Sequence, residues 1–181
     1  MTSPVYQLSD DYIERLAALD PGSATYMGIA GYDDKMTDFS PAGHDARSEL
    51  DSSTLKKLNT LDTSDPADRL AAGVFREALE MNEADYSANE HLRSIRIIAG
   101  DVDAARSVFD LMPTETASNW ETIADRLSQV PAAFDGMCES WKLGIERGAI
   151  AQRRQVLAVS EQLAVWAGLR GNSGLFDDFV S

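Results

Sequence analysis

Positive charge is scarce in this sequence. Sixteen Lys and Arg stand against thirty Asp and Glu, a formal charge of −14 over 181 residues. Phosphate is repelled over most of such a surface, which excludes a general nucleic-acid binder and a protein held on anionic lipid. Cysteine is nearly absent. Cys138 stands alone, so no internal disulfide can form, and a reducing, cytoplasmic setting is expected. No run approaches the roughly 18 apolar residues of a membrane-spanning helix. Met1 to Asp11 is polar and acidic, without the basic and apolar regions of a signal peptide. Histidine occurs twice, as His44 and His91. Neither lies in His-Glu-x-x-His, whose spacing sets two imidazoles on one helical face around zinc. Gly-x-Ser-x-Gly, the Walker glycine–lysine loop and G-x-G-x-x-G are all missing.

What remains is ordinary globular composition, 44% hydrophobic and 25% charged. A chain of this length buries roughly 70% of its unfolded surface and needs neither disulfides nor a structural metal to fold. One domain over residues 1–181 is expected, with a possible hinge near 90–103. Helical periodicity dominates, punctuated by proline and glycine. Ser9 and Asp10 are candidate caps of a first helix through Leu19, with Tyr12, Leu16 and Leu19 on its apolar face. Asp20-Pro21, Ser40-Pro41 and Asp65-Pro66 each pair an N-cap with proline at the first helical position, where its missing N–H costs nothing. They predict helices over Gly22–Ala30 ending at Gly31, from Pro41 to about Leu61, and from Pro66 to about Asn89. In the last of these, Leu70, Val74, Ala78 and Met81 form the expected core stripe. Ile95, Ile97 and Ile98 are a possible strand, and Ala104–Leu111 a short helix stopped by Pro113. Thr116 and Ser118 are candidate caps for the stripe Trp120, Ile123, Leu127 and Val130. Pro131 restarts the chain into Phe134, Cys138, Trp141 and Ile145. Val156, Val159, Leu163 and Trp166 form the final stripe. The expectation is an all-α fold, six or seven helices in an irregular bundle.

Few side chains single themselves out for chemistry. Cys138 lies in an apolar stripe and reads as a buried, inert thiol. Glu90-His91 reads as a solvated pair, and Glu77, Glu80 and Glu83 as a solvated face. Asp33-Asp34, Asp101 with Asp103, and Asp177-Asp178 lack the order of a calcium loop. Arg147, Arg153 and Arg154 read as compensation of helix termini, with an acidic ligand as the alternative. Trp120, Trp141 and Trp166 read as core. Leu175, Phe176, Phe179 and Val180 make an unusually apolar tail, which either docks on the helices or leads into further chain. No catalytic residue and no metal ligand is assigned.

Whole phrases add a resemblance. Asp20-Pro21, Ala24-Thr25-Tyr26-Met27-Gly28-Ile29, Gly31-Tyr32-Asp33-Asp34 and Phe39-Ser40-Pro41 resemble the opening of a bacterial family known as domain of unknown function 885. Ser107 to Thr116 with Trp120, Val130-Pro131, Gly144 to Gly148, Arg153 to Val156 and Glu161-Gln162 resemble later phrases in the same order. One departure is Gly100-Asp101, where Ser-Pro is expected, and it bears on the backbone of Ile98 to Ala104.

The resemblance implies that full-length members are longer, helical, zinc metallopeptidase-like proteins of the gluzincin type. Their His-Glu-x-x-His helix lies beyond the matched region, so no zinc ligand or catalytic Glu transfers to any residue here. Zinc is expected in the full-length family and no cofactor in this chain. The implied role is the N-terminal helical part of such a protein, walling a substrate cleft and inactive alone. Its partners would be the C-terminal catalytic part of the same protein and a peptide substrate. Tyr32, Asp33, Asp34, Met112, Thr114 and Glu115 are the candidate cleft-facing residues, with cap and turn roles as the alternative. The other reading is a free-standing helical interaction or regulatory module. An enzyme in its own right would need a carboxyl perturbed by its setting, which a sequence does not display. An uncovered apolar surface would favour the first reading.

Overall fold

Four helix starts use the same local device. Ser3, Asp20, Ser40 and Asp65 each cap the helix that follows, and each is followed by proline at its first position. A computed structural model describes residues 3–171, 173–175 and 177. Its helices are α1 Pro4–Leu19, α2 Pro21–Tyr26, α3 Pro41–Leu58, α4 Pro66–Ser87, α5 Asp101–Ser107, α6 Ala117–Ser128, α7 Val130–Glu146 and α8 Arg153–Trp166. Two single 3-10 turns, Glu90–Arg93 and Val108–Leu111, precede and follow α5. The fold is all-α, and no strand occurs among the described residues.

Several boundaries move from their sequence expectation, each for a local reason. The first helix starts at Pro4, because Ser3 Oγ accepts from Val5 N at 3.1 Å. Ser9 and Asp10 lie inside it. The second stops at Tyr26, not Ala30, because Gly28 takes φ 71°. Ile29 N then bonds back to Ala24 O at 2.9 Å, closing the last turn. Ile95–Ile98 forms no strand; the segment is irregular, with Ile97 and Ile98 exposed. Thr116, not Ser118, caps α6, in a reciprocal box with Asn119. At Gly100 the helix α5 begins without a side-chain cap, which is where the expected Ser-Pro would have placed one. Asp101 and Asp103 occupy the first turn instead, and Asp103 Oδ2 accepts from Ala99 N at 3.0 Å.

Three apolar clusters hold the helices together. Val5, Tyr12, Leu50, Leu58, Ala72 and Leu79 join α1, α3 and α4. Phe39, Val102, Ala105, Ala133, Met137 and Val159 join α5, α7 and α8. Val108, Phe109, Met112 and Ile123 seat α6 on the second 3-10 turn. Two expected core stripes face elsewhere. In α4 the buried residues are Ala72 and Leu79, with Ala71 and Phe75 packed beside them. Leu70, Val74 and Met81 are 71%, 62% and 60% exposed. This helix carries two apolar stripes, and the one with small residues fits against α1 and α3.

In α7 the buried line is Ala133, Gly136, Met137, Ser140 and Gly144. Phe134 and Trp141 pack at its edge, whereas Cys138 and Ile145 are exposed. Cys138 is therefore not the buried thiol its neighbours suggest. The reason is close approach. A Cβ on Gly136 would stand 2.8 Å from Ser40 N, and one on Gly144 would stand 2.5 Å from Leu92 O. Ser140 Oγ donates to Phe39 O at 2.7 Å. One stripe of small residues thus seats the start of α3 and the first 3-10 turn on the same helix. Leu175 lies beside Phe134, Leu163 and Trp166; Phe176, Phe179 and Val180 lie outside the described residues.

The small stripe is testable. Gly144→Ala should lower stability by roughly 1–3 kcal/mol, because its new methyl group meets backbone oxygens that cannot move aside. Gly73→Ala, at an open position inside α4, should raise it by about 0.8–1 kcal/mol. Urea unfolding measures both. Equal effects would mean that α7 does not pack as tightly as described.

Candidate functional site

The two histidines of the chain meet. His44 lies in the first turn of α3, seated by Gly136 and Ser140. His91 lies in the turn seated by Gly144. Their ring centroids are 4.9 Å apart. Tyr86, from the last turn of α4, stacks on His91 at 4.6 Å and 5°, and its hydroxyl donates to Asp45. Asn89 makes this possible by taking the left-handed conformation at φ 56°, which turns the chain out of α4.

Arg47, one turn beyond His44, ties the site to its frame. Its Nη1 donates to Asp38 O at 2.8 Å and Leu19 O at 3.4 Å. Its Nη2 lies 3.0 Å from His44 Nδ1. A guanidinium only donates, so His44 Nδ1 is the acceptor and the neutral ring carries its proton on Nε2. That Nε2 atom is buried and has no partner among the described residues, as is His91 Nδ1.

Two clefts open on this centre and share Asp20, His44 and Arg47. One, of about 250 Å3, lies toward α2 and α5 and adds Ser23, Tyr26, Thr37 and Asp101. The other, of about 310 Å3, lies toward α1 and α4 and adds Tyr12, Asp51, Asn82, Asp85, Tyr86 and His91. Asp20 caps α2 and accepts from Ser23 N, Ser23 Oγ and Thr37 Oγ1 at 3.1, 2.8 and 2.6 Å. Tyr12 donates to Asp51 at 2.7 Å. Burial, reinforced by that carboxylate, raises the Tyr12 phenol out of its usual range. Burial pushes the Asp101 carboxyl up to about 6. Burial, then Arg47 and His91, push His44 down to about 4. His91 is lowered too, by burial and by Arg147. Both rings are therefore neutral at pH 7. No group of three or more His, Cys, Asp or Glu arranged to hold a metal occurs among the described residues.

The residues singled out from sequence lie elsewhere, in two groups. Tyr32, Asp33 and Asp34 surround Arg126, a fully buried residue of α6. Arg126 donates to Lys35 O at 2.8 Å, Thr25 Oγ1 at 2.8 Å, Tyr32 O at 2.9 Å and Pro21 O at 3.5 Å. Asp33 accepts from Thr25 Oγ1 at 2.6 Å and lies 3.9 Å from the guanidinium. Gln129, one turn on, donates to Asp34 O and accepts from Met36 N. Met112 is buried against α6, Thr114 O accepts from Trp120 Nε1 at 2.9 Å, and Glu115 is exposed. Neither cleft at His44 is lined by a member of either group. The loop of the first group reaches the 250 Å3 cleft through Met36 and Thr37, which line it beside Gly22 and Ser23.

Sequence reasoning missed Arg126, Arg47 and the histidine pair. The pair left one signal, two histidines in a chain with few, but no spacing joins them. Of the basic group, Arg147 follows the C-terminus of α7, in keeping with compensation of a helix terminus, and Arg153 and Arg154 open α8.

The perturbed pair makes opposite demands on pH. Asp101 contributes stability that is present below its ordinary value of 3.8 and lost as pH rises through about 6. His44 contributes stability that is present above 6.5 and lost as pH falls through about 4. Relative to wild type, Asp101→Asn should make stability climb more steeply between pH 4 and 6, and His44→Gln should flatten that climb. Urea midpoints across this window check both. Variant profiles parallel to wild type would contradict the assignment.

The sequence pattern of a family described as "Bacterial protein of unknown function (DUF885)" matches residues 21–179. No curated protein matches the chain. The matched span starts at the proline of the α2 corner and takes in Arg126, both histidines and the whole of α3 to α8, so the chain belongs to the DUF885 family.

Proposed function

We propose that this chain is a non-catalytic helical wall of a substrate cleft in a larger, zinc-dependent peptidase-like protein of the cytoplasm. The observation that carries this reading is the uncovered stripe of α4. Leu70, Val74, Ala78 and Met81 follow one another along a single helical face, and all four are exposed. Burying a large apolar side chain contributes roughly 1.5–3 kcal/mol. A contiguous row of them facing water is the feature expected where another part of the same protein packs. The clefts around His44 support the second half of the reading, since they give the wall a concave, polar face distinct from the α4 stripe. The lone exposed thiol, Cys138, supports the reducing compartment.

Isolation of the protein from its native host tests this reading through intact mass, zinc content and hydroxyl-radical footprinting. The expected result is a zinc-bearing species larger than 19.7 kDa, with Met81 protected relative to the isolated chain. A metal-free species of 19.7 kDa, with Met81 fully reactive, would overturn it and favour a free-standing helical module.

A further inference from the structure

We propose that the outer face of α4 is one half of a two-helix seam, and that its other half is an amphipathic helix with lysine or arginine opposite Glu77 and along both edges. That this helix belongs to the rest of the same protein rests on the reading above; its chemistry rests on α4 alone.

Spacing is the first argument. Ala67, Leu70, Val74, Glu77, Met81 and Ala84 recur at alternating intervals of three and four residues, and all six are exposed. The packed side of α4 lies opposite, at Ala72 and Leu79, one heptad apart. Alternation of three and four is the spacing by which one helix lays its side chains into the holes of another. A solvated helix face is polar and keeps no such apolar register. The edges of the seam are low. Ala71 and Ala78 flank one side and Gly73 the other, where an added Cβ would meet nothing within 4 Å. A second helix axis can therefore approach to the usual distance of about 8–10 Å.

Charge selects the occupant. Glu77 stands in the middle of the seam, with Glu80 on one edge and Asp85 on the other. None of the three joins an ion pair among the described residues. The helix has no lysine, and its two arginines turn back on the chain. Arg69 Nη2 donates to Ser64 O at 3.0 Å, and Arg76 Nε donates to Asn59 Oδ1 at 2.9 Å. The seam thus combines apolar side chains with negative charge only.

A second copy of this chain matches it poorly. In a parallel pair Glu77 meets Glu77. In the antiparallel register that keeps the spacing, Leu70 meets Met81 but Glu77 meets Val74. Either pairing covers a carboxylate without a counter-charge, which is unfavourable. A basic amphipathic helix suits both features. Its apolar residues cover Leu70, Val74 and Met81, and a lysine or arginine packs its stem on the seam while its head reaches Glu77.

The test is fluorescence anisotropy of two labelled, three-heptad helical peptides titrated with this chain. Both carry leucine along the seam. One has lysine at its central seam position and its edges, the other glutamate at the same places. Saturable binding of the lysine peptide is expected, with the glutamate peptide at least about tenfold weaker. Glu77→Lys should weaken the lysine peptide several-fold and strengthen the glutamate peptide. Leu70→Ser should also weaken the lysine peptide several-fold, whereas Glu121→Lys, the same charge change on α6, should leave it unchanged. All three positions are exposed, so the variants keep the fold. Equal binding of the two peptides, binding of neither, or equal effects at Glu77 and Glu121 would overturn the proposal. So would a dimer of this chain, seen by sedimentation, that Leu70→Ser dissociates. A metal-free native species of the present mass would retire the cleft-wall reading and leave this selectivity intact. A larger native species without the selectivity would retire this proposal alone.

Discussion

A single buried guanidinium organises the segment on which the rest of the molecule depends. Residues 27–40, between α2 and α3, contain no helix. A connection of that length has few backbone partners of its own, and its carbonyls must be satisfied somewhere. Arg126 meets that need from α6, taking the carbonyls of Pro21, Tyr32 and Lys35 and the hydroxyl of Thr25. Burial lowers its pKa, as expected for a charge taken from water, and Asp33 opposes that shift. Arginine suits the task because its planar fork offers several donors in fixed directions, which a lysine ammonium does not. Gln129 extends the grip to Asp34 and Met36.

The consequence reaches the clefts. With the loop fixed, Thr37 is held against Asp20, and Phe39 and Ser40 are delivered to the small face of α7. From there α3 starts, and its first turns carry His44 and Arg47. The same helix α7 receives the turn that carries His91. Two residues remote in sequence thus become neighbours because both hang on one line of small side chains. The site is a product of backbone close approach at Gly136 and Gly144 more than of side-chain attraction.

How much of this could be read from sequence follows from the same physics. Cap-plus-proline pairs state a local fact, and Asp20-Pro21, Ser40-Pro41 and Asp65-Pro66 marked helix starts correctly. Ser3-Pro4 carries the same mark, and it, not Ser9 or Asp10, starts the first helix. Helix faces were harder. A stripe of large apolar residues looks like core, yet α4 turns Leu70, Val74 and Met81 outward and buries Ala72, and α7 buries Gly136 and Gly144 while exposing Ile145. Small residues allow contact without themselves being hydrophobic signals. The loop phrase Tyr32-Asp33-Asp34 stands out in the sequence as a candidate cleft face, and the structure sets it around Arg126 and Gln129. Its partner Arg126 does not stand out, since an arginine inside a helix looks like any solvated one. The histidine pair depends on tertiary contact alone.

The most direct measurement of this account is amide hydrogen exchange of wild type beside Arg126→Met. If the guanidinium holds the 21–37 segment, exchange should accelerate there and at the start of α3, while the α1–α4 core around Leu50 and Leu79 keeps its protection. Uniform acceleration along the chain, or an unchanged 21–37 segment, would contradict the claim that this one buried charge sets the wall of the clefts.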